Sequence, residues 1–131
     1  MMKLEYILNL NAFLALLIST HPKHQAIKEK ISKATKIIIP DILIIELQWV
    51  VLSKRYPEIN QDIFAQTMEA IKTDPVIELK AVTPEIANEQ KKWYDKLSFF
   101  DAYYAAFSLV HKKKLLTTDP DFKPYDFALV L

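Results

Sequence analysis

Ile37-Ile38-Ile39-Pro40-Asp41-Ile42-Leu43-Ile44-Ile45-Glu46-Leu47 is the stretch whose reading decides the fold. Three consecutive β-branched residues favour a short strand. Pro40, which has no N–H to give to a ladder, stops it. The apolar run then resumes and predicts a helix over 41–55, with Asp41 as its N-cap. A strand with no polar face belongs in a parallel sheet covered on both sides. Glu46 stands inside the helix among large aliphatic residues. A lone buried carboxylate is costly and neutralises or finds a partner. Glu46 therefore either sits at the rim of the helix's wet face, beside Asp41 or Gln48, or serves metal binding or catalysis.

The same strand-then-helix pattern recurs on either side. Leu4 to Leu8 reads as a first strand ending at Asn9, followed by a short buried helix over Ala12–Ile18 that halts before Pro22. Lys23 to Thr35 places Ile27 and Ile31 among lysines at helical spacing. A helix over 57–72 opens with Pro57 and aligns Ile59, Ile63, Phe64, Met68 and Ile71 on one face. Val76–Leu79 is a candidate strand, Thr83 to about Leu97 a helix, and Ser98 to Lys112 the last long helix. Leu115-Leu116-Thr117 makes another strand, Asp119-Pro120-Asp121 a turn, and Ala128–Leu131 a final edge strand. Short apolar strands separated by helices predict an α/β fold: a three-layer α/β/α sandwich with a central parallel sheet, as one domain over 1–131. In such sheets functional groups collect beyond the C-terminal strand ends, where Asn9 and Asp119 fall.

Composition narrows the chemistry. With 131 residues, 51% apolar and 25% charged, the chain has the make-up of an ordinary globular domain. A net charge of +1 gives no global field toward nucleic acid or membrane. Cysteine is absent, which removes disulfides, thiolate metal sites and cysteine nucleophiles, and fits a cytoplasmic location. Glycine is absent too, which excludes a phosphate-binding P-loop, a dinucleotide fingerprint and a glycine-framed nucleophile elbow. Glu5, Asn9 and Asn11 interrupt the first apolar run, and Ile42–Leu52 is too short to span a bilayer, so neither an export signal nor a membrane segment is expected.

Three further acids or amides have ordinary structural readings. Ser98-Phe99-Phe100-Asp101 is a capping-box pattern, so Asp101 is as well explained by a helix start as by a site. Asp119 precedes Pro120 and suits a turn, with Asp121 competing for any functional part. The aromatic residues Phe99, Phe100, Tyr103, Tyr104 and Phe107 recur at helical spacing and read as core rather than as a base-stacking platform. His21, His24 and His111 show no metal-ligand spacing.

Taken in order, four segments resemble the PIN-domain family, and within it the VapC-type toxins of toxin–antitoxin pairs. Tyr6-Ile7-Leu8-Asn9-Leu10-Asn11 is similar to the family's first strand, which ends in Asp-x-Asn. Pro40 to Glu46 is similar to its proline-started helix bearing one glutamate. Leu97-Ser98-Phe99-Phe100-Asp101-Ala102 resembles its third motif, and Leu115-Leu116-Thr117-Thr118-Asp119 its fourth, a Thr-x-Asp closing a strand. The resemblance implies a metal-dependent ribonuclease in which Glu46, Asp101 and Asp119 bind Mg²⁺ or Mn²⁺, with Asn9 in the catalytic set and Asn11 and Thr117 orienting the acids. It also implies an RNA substrate, a cognate antitoxin protein and a homodimer. Asn9 departs from the family's usual aspartate and removes one negative charge from the pocket. A weakened nuclease, an inactivating substitution and a non-catalytic PIN scaffold that binds RNA or a protein all remain open on the sequence. A receiver-like α/β protein would want an acidic pair after the first strand, which Asn9-Leu10-Asn11 does not supply.

Overall fold

The computed structural model of the protein describes residues 3–131. Five strands, β1 (Glu5–Leu8), β2 (Lys36–Pro40), β3 (Ile77–Lys80), β4 (Lys114–Thr117) and β5 (Ala128–Val130), form one sheet in the order β3-β2-β1-β4-β5. Every neighbouring pair is parallel. Six helices connect them: α1 (Leu10–Leu17), α2 (His24–Ser32), α3 (Asp41–Ser53), α4 (Gln61–Thr73), α5 (Pro84–Lys91) and α6 (Phe99–His111). This is the three-layer α/β/α sandwich anticipated from the alternation of strands and helices. The inner strands β1, β2 and β4 are buried at nearly every position, whereas the edge strands β3 and β5 are only partly covered. That gradient is why the first three read as unbroken apolar runs.

Strand order fixes where a site can form. The chain steps outward from β1 through β2 to β3, then returns to lay β4 against the other side of β1. The connections on the two sides of this β1/β4 boundary diverge, which leaves a crevice at the carboxyl ends of the two strands. Asn9 follows β1 there, and Thr117 ends β4.

Several boundaries differ from the sequence reading, each for a local reason. Helix α3 begins at Asp41, but its N-cap is Pro40; Asp41 is the first helical residue and its Oδ2 accepts from the Val82 backbone N–H, tying the helix start to the loop after β3. Helix α4 starts at Gln61 rather than near Pro57, because Asn60 caps it by accepting from the Ile63 N–H. Helix α5 is likewise capped by Thr83 but ends at Lys91, and residues 92–97 turn instead of continuing to Leu97. With no glycine to end helices, α3 and α6 close on lysines in the left-handed region, Lys54 (φ 55°) and Lys112 (φ 56°).

The core joins Ile7, Leu8, Ile39, Leu43, Leu47, Tyr104, Phe107, Leu115, Leu116 and Phe122. Nearby, Trp93 meets Tyr125 and Phe127 edge-on. The aromatic series on α6 divides: Tyr104 and Phe107 are buried, but Phe99 and Phe100 are exposed, so only part of it is the core stripe expected. Helix α3 also leaves Ile45, Trp49 and Leu52 open to solvent. No helix among the described residues is long and apolar enough to cross a membrane. Phe107→Ala is expected to cost about 3–5 kcal/mol in urea unfolding, and Trp49→Ala less than about 0.5 kcal/mol. Equal losses would contradict this division of the aromatic residues.

Candidate active site

Four segments reach the carboxyl edge of the sheet. Asn9 is almost wholly buried, 1% exposed. Its side-chain oxygen accepts from the Ala12 N–H at 3.0 Å and so caps α1. Its Nδ2 donates to Thr117 Oγ1 at 2.8 Å, spanning the β1/β4 crevice. Thr117 Oγ1 also accepts from the Asp119 backbone N–H at 3.0 Å, which sets the start of the next turn. Asp119 then accepts from the Asp121 N–H, the turn-capping contact its position before Pro120 suggested.

Glu46 is half-buried, about a turn and a half into α3. Its Oε1 accepts a 2.5 Å hydrogen bond from the Tyr104 hydroxyl of α6. Burial pushes the Glu46 carboxyl up to about 7, the Tyr104 hydrogen bond works against that rise, and the charge of Asp101 adds to it. Asp101 is also raised, first by burial, against a lowering hydrogen bond from the Ser98 side chain, and then by the charges of Asp119 and Asp121. Ser98 makes no side-chain bond to the helix N–H groups, so the serine half of the expected capping box does not form. Glu46, Asp101 and Asp119 thus lie within electrostatic reach of one another in sequence, Glu46 to Asp101 and Asp101 to Asp119.

A cavity of about 540 Å³ opens beside Glu46, lined by Leu10, Ile45, Trp49, Val50, Arg55 and Phe100 among others. Arg55 and Glu46 are its charged residues. Asn11 is elsewhere: it is exposed and lines a separate groove with Leu14, His21, Tyr56 and Thr118. Lys112, Lys113 and Lys114 lie at the opposite end of β4 from Asp119. There Lys113 pairs with Glu5 at the start of β1, and Lys114 donates to the Asp126 carbonyl. They therefore flank the far rim of the sheet, as a solvated helix end does, and not the acids. Tyr104 was read from the sequence only as core; its hydroxyl partner sits 58 positions away, beyond any periodic signal.

For a divalent ion the oxygen donors fit in kind. Carboxylates suit Mg²⁺ and Mn²⁺, and mutual repulsion along Glu46, Asp101 and Asp119 is what a cation relieves. Among the described residues, however, no three His, Cys, Asp or Glu side chains are grouped closely enough to form a ready cage. The amide of Asn9 takes one place at the crevice.

Because native Glu46 keeps its proton up to about pH 7 while an unfolded glutamate loses it near pH 4.5, the native state binds more protons between those values. Stability owed to this group therefore falls as pH rises from about 4.5 to 7. Discounted for partial exposure, the effect is roughly 1–2 kcal/mol, or a few degrees in Tm. Glu46→Gln is expected to gain that much on the wild type between pH 4.5 and 8. A constant difference in Tm across this range would contradict the burial of Glu46.

The sequence matches the PIN domain family over residues 6–128. No curated protein matches it in sequence. Solved structures resemble it in fold. A toxin–antitoxin complex from Klebsiella pneumoniae is 18% identical over 95% of this chain and 96% of that one, with a TM-score of 0.71. A VapC sarcin-ricin loop cleaving toxin from Mycobacterium tuberculosis is 16% identical over 91% and 93%, at 0.70. A VapBC pair from Rickettsia felis, bound to a DNA fragment from its promoter, is 17% identical over 98% of both chains, at 0.70. With that match over residues 6–128 and a five-stranded parallel sheet between helices, the chain belongs to the PIN domain family.

Proposed function

We propose that this PIN domain is a metal-dependent endoribonuclease of the VapC toxin type, acting on RNA in the cytoplasm. The observation that carries the reading is the match to the PIN domain family over residues 6–128, and the half-buried Glu46 lining a cavity supports it. Glu46, Asp101 and Asp119 would hold Mg²⁺ or Mn²⁺. When bound, the ion supplies an activated water and offsets charge on the scissile phosphodiester. Thr117 holds the Asp119 backbone, and so aims that carboxylate. Arg55 borders the same cavity and, with its neighbour Lys54, is the cation placed to meet an RNA phosphate; as the chain's sole arginine it offers the one bidentate contact. Asn11, exposed on the adjoining groove, is left to the RNA backbone beside the site.

The solved relatives that form toxin–antitoxin complexes support a protein antitoxin as the regulator of this chain. The family resemblance adds a homodimer as the working state.

Asn9 weakens the site in two ways. It is neutral, so the crevice carries one negative charge fewer than an aspartate would give. It also points an N–H donor at Thr117 where a carboxylate would accept, and its oxygen is engaged by the Ala12 N–H. Low metal affinity follows on both counts.

A second reading, a non-catalytic PIN scaffold that binds RNA or a protein, is favoured by the lack of a ready three-acid cage among the described residues. Cleavage of a labelled RNA in Mn²⁺ separates the two. The expected result is slow, EDTA-sensitive cleavage by the wild type, a rise of about tenfold or more for Asn9→Asp, and loss of activity for Glu46→Gln. If Asn9→Asp neither cuts RNA nor binds Mn²⁺, and the wild type binds RNA in EDTA as well as without it, the scaffold reading stands and the enzyme reading is lost.

A further inference from the structure

We propose that Tyr104 is a positioning residue for this site: its buried hydroxyl fixes the Glu46 carboxylate and thereby selects the oxygen that Glu46 offers to the cavity. The proposal rests on Glu46 being a working carboxylate, as argued above.

Phenylalanine would fill the same volume in this core. A tyrosine at 1% exposure brings a hydroxyl that needs a hydrogen-bond partner. The hydroxyl finds that partner in the site. It donates to Glu46 Oε1 at 2.5 Å.

The phenol thus joins two segments that carry acids of the site. Glu46 is on α3, and Tyr104 lies one turn after Asp101 on α6. With Oε1 held by the phenol, Oε2 is the Glu46 oxygen available to a ligand, and its direction is set by a rigid ring that the core holds in place. A hydrogen bond that orients a ligating carboxylate typically changes metal affinity by about 10–100-fold when lost.

Tyr104→Phe keeps the ring and removes the link. The first measurement needs neither metal nor RNA: side-chain ¹³C relaxation at the Glu46 carboxyl, together with the Tyr104 hydroxyl proton. The expected wild-type result is an ordered carboxylate and a slowly exchanging downfield hydroxyl proton, which shifts in Glu46→Gln; Tyr104→Phe loosens the carboxylate. If Glu46 stays equally ordered in Tyr104→Phe, the proposal is overturned. The second measurement is Mn²⁺ titration of the wild type, both single variants and the double variant. Tyr104→Phe is expected to weaken binding about tenfold in the Glu46 background and not further in Glu46→Gln. An equal loss in both backgrounds would make Tyr104 a packing residue and overturn the proposal as well. If no form binds Mn²⁺, the metal reading of the site fails, and the relaxation result decides the role of Tyr104 by itself.

Discussion

A parallel sheet buried on both faces leaves its strands no place for a polar side chain except at their ends. That constraint organises the molecule. The inner strands are apolar between their ends, and the groups able to do chemistry are displaced to the carboxyl rim, where strand turns into helix. Asn9 and Asp119 are reached this way directly. Glu46 and Asp101 come instead from helices whose starts lie near the same rim, and they arrive partly desolvated because the helices carrying them pack into the core. Glu46 and Asp101 hold their protons more tightly because the fold removes water from them.

Asn9 shows how one side chain can serve the fold while altering the chemistry. Its amide caps a helix through oxygen and bridges two strands through nitrogen, so it satisfies two partners at the switch point, the Ala12 N–H and Thr117 Oγ1. An aspartate in that place would keep the cap but would have to receive, rather than give, the hydrogen bond at Thr117. The polarity of this short chain of bonds is therefore set by a single atom, and that polarity decides whether the crevice is lined by a donor or by a charge.

The fold was largely legible in the sequence because its signal is local. Ile37 to Leu47 holds a strand, its stop and a helix in contiguous residues, and each strand lies within a residue or two of its apolar run. Helix starts were less legible. Pro57 and Asp41 looked like natural openings, yet Asn60 and Pro40 hold those positions, because a cap depends on which residue adopts extended backbone and not on composition alone. The family was legible in four ordered motifs. The support of Glu46 was not: the Tyr104 phenol meets it across the interior, and a tyrosine in an aromatic stripe gives no sign of what its hydroxyl touches.

The two tryptophans occupy opposite situations. Trp93 packs edge-on against the stacked rings of Tyr125 and Phe127, its indole N–H buried, whereas Trp49 is 69% exposed on the wall of the cavity that holds Glu46. The protein therefore carries two intrinsic fluorophores that report different events. Emission from Trp93 follows the integrity of the fold, and emission from Trp49 follows occupancy of the cavity, so a ligand entering the site can be seen optically without any label and told apart from unfolding.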